Sequence, residues 1–529
     1  MSSMLPPSLE ALSSLFPPTL AYFDAAGCLT AAAAGLLGYL GYLTYVHYNT
    51  KRPGPKGLPF IGNLHQISEF PHVSFAKWTK MYGDVYFVKM GAADWLVMNS
   101  ADAVREMNKH HAASIATRPE QYVLGGIIGN GYRGLLGAPH SEKWKHNRKL
   151  FTTAFSKHAV KSYGPIIDAE SRQLCKEVFK VAGQSPEGAD FRNYTSYFTL
   201  NVLLGATFGE RMDSVNDPLA QDIFQVSQDV FRNTGASTNL ADFLPVLRPL
   251  LYPTVRHIHK MQEKRVGTIR ALIKGLRARL NDPNVEVPEC MGKYILEAQD
   301  EGIIDEMDVI ALIGDTEAAG TDTTATFLHV MLLTLAKFPE VQKRAQAEMD
   351  RVVGRDRLPT SEDYPELPYI QCLIREQWRY RPIGYLNIPH AAREDFYFRG
   401  NLVRKGTWIM TCYYMEQMNP DVYPDPHEYK PERWLSSTNR TICEETIGSQ
   451  GARSTWLFGE GRRVCPGMVL AEAELSTAIM HFLWAFNVTP GTGEEIDLSI
   501  HEAGLTNQAR RHRLHFSPRF PEVMDMLSA

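Results

Sequence analysis

The ten residues Phe458-Gly459-Glu460-Gly461-Arg462-Arg463-Val464-Cys465-Pro466-Gly467 constrain this chain more than any other stretch. They set one cysteine on a glycine-rich turn that opens a helix over residues 468–486. Gly461 and Gly467 give the backbone freedom to fold close against a flat ligand. Phe458 offers an apolar wall. Arg462 and Arg463 bring positive charge, which favours thiolate over thiol at Cys465, and the helix N-terminus favours an anion as well. A sulfur that is buried, anionic and presented singly is suited to be an axial ligand of a haem iron.

Outside that loop the chain is read against two exclusions. Seven cysteines, Cys28, Cys175, Cys290, Cys372, Cys412, Cys443 and Cys465, are scattered with no close pair, which excludes a disulfide framework and fits a reducing compartment. A net charge of -4 leaves no nucleic-acid footprint, so no nucleic-acid partner is expected. No glycine-rich nucleotide fingerprint follows a strand pattern, so the chain carries no flavin or nicotinamide domain of its own.

Residues 1–24 read as an N-terminal tail and 25–50 as a transmembrane anchor, free of charged side chains and long enough to span a bilayer. Tyr39, Tyr42, Tyr45 and Tyr48 suit an interfacial belt, and Lys51 and Arg52 place the C-terminal side in the cytosol. A cleaved signal peptide is the rival reading, opposed by the lack of basic charge before the apolar run. Residues 51–63, rich in proline, form a stiff hinge, and 64–529 form the globular body. Two strands, 84–90 and 95–98, precede a mostly helical chain. Long helices are expected over 219–233 and 254–280. The proline-broken apolar stretch 243–252 between them is either a core loop or a segment that touches a membrane.

A long apolar helix over 308–335 is interrupted by Glu317-Ala318-Ala319-Gly320-Thr321-Asp322-Thr323-Thr324. Threonine hydroxyls compete for backbone carbonyls there, which opens room for a diatomic ligand and water. Ala319 and Thr323 lie one turn apart, and Asp322 and Thr323 are an acid and a hydroxyl placed to relay protons. Asp315, within about 80° of the same face and roughly 12 Å further along, either pairs with an arginine of a neighbouring element or binds an amine or hydroxyl of a substrate. Thr316, Tyr385 and Leu505 join it as candidate pocket residues.

The loop resembles the cysteine-ligand signature of the cytochrome P-450 superfamily, Phe-x-x-Gly-x-Arg-x-Cys-x-Gly. The 319–324 segment resembles the family's Ala/Gly-Gly-x-Asp/Glu-Thr-Thr/Ser pattern. Glu376 and Arg379 with Pro431-Glu432-Arg433-Trp434 look like its interlocking Glu-x-x-Arg and Pro-Glu-Arg-Phe elements. The resemblance implies a mainly α fold with small β-sheets (α+β), as a single haem domain behind a transmembrane helix. It implies haem b held by Cys465, with Trp144, Arg148, His390 and Arg463 on the propionates and Phe458, Gly461, Gly467 and Ala319 against the macrocycle. Glu376, Arg379 and Arg433 then form a structural network. Trp434 in place of the usual Phe is a mild change.

The implied activity is that of a microsomal, fungal-like class II haem-thiolate monooxygenase anchored in the endoplasmic reticulum membrane, with its catalytic domain cytosolic. Asp322 and Thr323 deliver protons, and a small hydrophobic substrate from secondary or xenobiotic metabolism receives one atom of dioxygen. NADPH supplies electrons through a separate diflavin NADPH-cytochrome reductase, with cytochrome b5 as an optional second donor. Lys143, Lys145 and Lys149 are either its docking face or a solvated basic surface. A haem-thiolate isomerase or dehydratase, and a non-catalytic haem- or sterol-binding membrane protein, are the alternatives. Two departures from the family are a polar insertion over 436–454 and Tyr413-Tyr414-Met415-Glu416-Gln417-Met418, which replaces a usual Trp or Asn and His. Asn193, Asn439 and Asn487 head glycosylation sequons that a cytosolic domain leaves unmodified.

Overall fold

Most side chains of the 32-residue helix Glu306–Lys337 are buried, and several other helices pack around it. The computed structural model describes residues 25–49, 52–183, 185–235, 240–435, 456–502 and 504–529. The tail 1–24, the insertion 436–454 and the Asn439 sequon lie outside the described residues. Helices used below are α1 (Ala25–Asn49), α2 (Glu142–Ala154), α3 (Arg192–Phe208), α4 (Pro218–Asn233), α5 (Tyr252–Leu280), α6 (Glu306–Lys337), α7 (Pro368–Tyr380) and α8 (Met468–Ala485).

Local chemistry sets the bounds of α6. Asp305 and Asp308 form a reciprocal capping box at its start, and Phe338-Pro339 ends it. A helix apolar on all sides is stable only when surrounded, and α3, α4, α5 and α8 surround it. Gly320 lets α3 come close: a Cβ there would stand 2.6 Å from Leu203.

The main sheet is small and mixed, in the order β1 (Val85–Met90), β2 (Ala93–Met98), β4 (Trp408–Thr411), β3 (His390–Ala391). β2 and β4 run parallel with Trp95 opposite Trp408, and these rings stack at 5.7 Å. A two-stranded hairpin, β5 (Ile500–Glu502) and β6 (Gln508–Ala509), carries the turn that reaches α6. Mainly helical structure with small sheets is the expected class.

Three expectations change here. The proline-rich stretch, expected as a stiff hinge ahead of the body, has its backbone built onto the sheet. Phe87 N donates to Pro53 O at 2.8 Å, and Lys89 N donates to Asn63 Oδ1 at 2.8 Å. The folded body therefore begins near Pro53, ahead of residue 64. The stretch after Phe243 is not a core loop: Phe243 is buried, while Val246 is 84% and Leu250 78% exposed. Helix α1 forms over the expected anchor, and its 25 residues reach roughly 37 Å. Among the described residues, however, no helix is both long and apolar enough to cross a membrane. What α1 lacks is apolarity, since Gly, Thr, Tyr and His dilute its Ala and Leu.

Candidate active site

A cavity with about 1590 Å³ of space free of protein atoms, part of it open to solvent, lies between α6 and the Cys465 loop. Cys465 lines it, as do Phe458, Gly467, Ala319, Thr323, Thr316, Asp315 and Leu505. The loop is held by Cys465 N donating to Phe458 O at 2.7 Å, and Gly459 and Gly461 take φ of +70° and +61°. A Cβ on Gly461 would also meet Asn108 Oδ1 at 2.8 Å, so this glycine serves the turn and does not face the cavity. Phe458 packs edge-on against Trp378 of α7 at 5.5 Å.

The charge around the sulfur differs from the expected arrangement. Burial pushes the Cys465 thiol up, while N–H groups of Gly467 and Met468 and the guanidinium of Arg148 pull it back. Arg462 is exposed. Arg463 turns away, donating to Ala116 O at 2.7 Å, Leu135 O at 3.2 Å and Ala138 O at 2.9 Å. The arginines next to the cysteine in sequence are therefore not the ones that act on it.

Arg463 belongs instead to a group of three buried or half-buried arginines on the cavity, with Arg148 and Arg118. The described partners of all three are backbone carbonyls: Arg118 bonds Ile388 O and Pro389 O, and Arg148 bonds Val464 O. Arg118 also leaves its Nε buried without a partner. Burial and mutual repulsion pull Arg118 down to about 9 and Arg463 down to about 8. Buried positive charge beside a cavity, with no ion-pair partner among the described residues, calls for an anionic ligand. Two propionates at the edge of a haem fit that need, and Cys465 is the ligand its iron requires. His390 is a neutral neighbour of these arginines, with its one N–H already used. Its Nδ1 pairs with Ile115 O at 2.8 Å, and burial beside Arg118 holds it well below the usual histidine range.

Trp144 does not line the cavity. Its indole N–H donates to Leu135 O at 3.1 Å, and the Arg463 guanidinium lies 3.8 Å from its ring centre. The expected direct contact with a propionate is corrected: the ring supports Arg463, because the Leu135 carbonyl takes the indole proton first. Tyr385 is also corrected. Gly384 and Leu386 line the cavity, while Tyr385 between them faces the other side, against His72 and Tyr414 at 4.5 and 5.0 Å.

On α6, Thr323 Oγ1 donates to Ala319 O at 2.7 Å, and Thr316 Oγ1 to Leu312 O at 2.9 Å. Asp322, one residue from Thr323, is not on the cavity wall. Its carboxylate accepts from Thr506 Oγ1 at 2.7 Å and Gln508 Nε2 at 3.2 Å. The acid and the hydroxyl thus face different ways, as adjacent positions on a helix must.

Among the described residues, Asp315 pairs with no arginine directly. Its Oδ2 accepts from Leu135 N at 2.6 Å and Leu136 N at 3.0 Å, tying α6 to the loop before α2. Burial pushes the carboxyl up, against Arg265 and those two N–H groups. The carboxylate that pairs with Arg265 is Glu317, at 3.4 Å. Asp315→Ala should cost about 1–3 kcal/mol by orphaning two N–H groups, while Asp315→Asn, which keeps an acceptor, should cost less. Urea midpoints of the two variants check this. Equal midpoints for wild type and Asp315→Ala would show that the tether holds nothing.

Sequence reasoning missed Arg118, Thr506 and Glu474. Glu474 lines the cavity from α8, and burial pushes its carboxyl up to about 8. Its spacing from Cys465, nine residues on and seven into the helix, is the one available signal. Two of the three basic-face lysines are already engaged: Lys143 with Asp308 at 2.7 Å and Lys145 with Glu142 at 2.6 Å. Lys149 and Arg462 are exposed, with no ion pair among the described residues.

Residues 52–516 match the family model for cytochrome P450. The chain is 31% identical over 456 residues to the cytochrome P450 monooxygenase fogE of Aspergillus ruber, covering 84% of this chain and 82% of that protein. It is 32% identical over 454 residues to the cytochrome P450 monooxygenase virE of Hypocrea virens, covering 84% and 80%. Over 514 residues it is 26% identical to cytochrome P450 monooxygenase 58 of Postia placenta, covering 94% and 95%.

Proposed function

This chain belongs to the cytochrome P450 family and is a haem-thiolate monooxygenase, and from that premise we propose that it draws electrons from NADPH through a separate diflavin reductase and oxidises a small, largely apolar molecule. The observation that carries the reading is the cavity itself. It places one free thiol, three arginines without acids and the Ala319–Thr323 segment of α6 on a single wall system. Haem, when bound, supplies the activation of dioxygen. Cys465 Sγ would bind its iron. Arg118, Arg148 and Arg463 would hold its propionates, with His390 joining them when a propionate brings the charge that protonates it. Thr323 would present its hydroxyl on the cavity wall, where it is bonded to Ala319 O, and Asp322 is a buried acid bonded to Thr506. Phe231, Ile383 and Leu386 supply apolar wall for the substrate.

Attachment to the endoplasmic reticulum membrane, single-pass through α1 with the body on the cytosolic side, belongs to the same proposal. It is supported by the basic residues that follow α1 and by exposed apolar side chains on the body. Leu58 and Phe60 are 50% and 82% exposed beside the turn that also receives Phe243, and Val246 and Leu250 follow. Lys149 and Arg462 are the cations left for an acidic partner, the reductase or cytochrome b5.

The test is a reconstitution. Purified haem-loaded protein, a diflavin reductase and NADPH should consume NADPH faster when a compound that displaces the iron-bound water is present. The product should carry one oxygen atom from dioxygen, read with isotopically labelled gas. Turnover that proceeds without NADPH would instead mark a haem-thiolate isomerase or dehydratase.

A further inference from the structure

Asp322 is sealed from the cavity, and one of its described partners crosses the seal. The carboxylate is buried. Gln508 Nε2 takes one of its oxygens and Thr506 Oγ1 the other. Thr506 also lines the cavity, whereas Gln508 does not. The turn that carries Thr506 is pinned on both sides, with Leu505 N donating to Phe231 O at 3.0 Å and Asn507 N to Ile383 O at 2.6 Å. Thr506 is itself buried, so its hydroxyl is held in place between acid and cavity. Thr323, by contrast, spends its hydroxyl proton on Ala319 O and has no described bond to Asp322.

We propose that Thr506 is a proton-relay residue for the oxygenation reaction, linking the Asp322 carboxyl to the cavity from the β5–β6 turn. The bond has two directions. With Asp322 ionised, Thr506 Oγ1–H donates to the carboxylate. With Asp322 protonated, the carboxyl O–H donates to Thr506 Oγ1, and the threonine hydrogen is free to point into the cavity. In the relay, Thr506 gives its proton to an oxygen acceptor in the cavity while Asp322 gives its own to Thr506 Oγ1. The carboxylate left behind takes a proton from bulk water, so protons balance and no electrons move. Burial, opposed by Thr506, Arg192 and Gln508, holds the carboxyl above its usual range, which suits an acid that must keep a proton before use. Because the hydroxyl sits on the cavity wall, a substrate that fills the cavity also sets what the relay can reach.

The inference rests on the monooxygenase reading, and its test separates the two. Thr506→Val removes the hydroxyl at nearly constant volume, and Thr506→Ser keeps it. With reductase and NADPH, Thr506→Val should slow NADPH oxidation about a hundredfold, the low end of what a lost proton donor removes. The slowing should grow in D2O, and Thr506→Ser should restore most of the rate. Asp322→Asn should slow the reaction to the same extent, and the double variant Asp322→Asn/Thr506→Val no further, since two members of one relay do not add. Effects that multiply, or a Thr506→Val rate equal to wild type, would overturn the relay. A second reading needs no reductase and no turnover: the infrared stretch of carbon monoxide on the reduced protein, which senses hydrogen donors in the cavity. It should shift in Thr506→Val and return in Thr506→Ser. A stretch unmoved by Thr506→Val overturns the placement of the hydroxyl even if wild type never consumes NADPH, the outcome that defeats the monooxygenase reading alone.

Discussion

Cys465→Ser should yield a folded protein with no measurable NADPH-dependent turnover and no thiolate-type spectrum in its reduced carbon monoxide complex. The fold does not depend on the sulfur, because the loop is closed by the Cys465 N to Phe458 O bond and by backbone turns at Gly459 and Gly461. The chemistry does depend on it. A serine hydroxyl in the same N–H cradle of Gly467 and Met468 stays protonated at neutral pH and is a poor ligand for haem iron. No described cysteine can stand in. Cys175, Cys290, Cys372 and Cys412 are buried away from the cavity, and burial pushes the Cys372 and Cys412 thiols up to about 12. Reduced-minus-carbon-monoxide spectra of the variant decide it. A retained thiolate-type band would mean that the iron is bound elsewhere and that the cavity is misread.

That prediction comes from the part of the site that was legible in the sequence. A ligand on a tight turn, a helix broken by Gly and Thr and a pair of charges at helical spacing are local patterns, so residue order is enough to find them. What stayed hidden depends on which distant backbone atoms arrive beside a side chain. Residue order puts Trp144 on the propionates, but the Leu135 carbonyl accepts its indole N–H and its ring backs Arg463. Arg118 sits in an ordinary Thr-Arg-Pro stretch, and only the fold brings it beside Arg148 and Arg463. Asp322 and Thr323 are adjacent in sequence, which invited a shared role, yet the turn at Thr506 reaches the acid alone. The hinge was misplaced for a similar reason: prolines predict stiffness, and they do not say that Pro53 and Asn63 bond to β1.

The Glu376 network joins the legible part to the hidden part. The expected Glu-Arg-Arg set is present. Arg379 donates to both oxygens of Glu376, at 2.7 and 3.0 Å, and Arg433 Nε donates at 3.0 Å. Trp434, read from sequence as a mild change, adds an indole N–H at 2.9 Å, and Lys430 N adds a backbone donor at 3.0 Å. Glu376 is wholly buried, and the side chains of Arg379 and Arg433 are 2% and 9% exposed. Removing the acid therefore leaves two buried guanidiniums unopposed, although both keep carbonyl partners between Gln417 and Glu428.

Glu376→Ala should cost about 3–5 kcal/mol, the penalty for stranding one side of a buried ion pair. Trp434→Phe, which removes one neutral donor to a buried carboxylate, should cost less, about 1.5–3 kcal/mol. The larger loss should also reach the haem. The same arginines stitch residues 417–433 onto α7, and Trp378 of α7 packs against Phe458 at the start of the cysteine loop. Glu376→Ala should therefore lose haem at denaturant concentrations where Trp434→Phe still holds it. Urea midpoints followed by the haem band and by far-UV circular dichroism measure both effects. A Glu376→Ala protein within about 1 kcal/mol of wild type would show that the carbonyls alone stabilise these arginines, and that the ion pair adds geometry without stability.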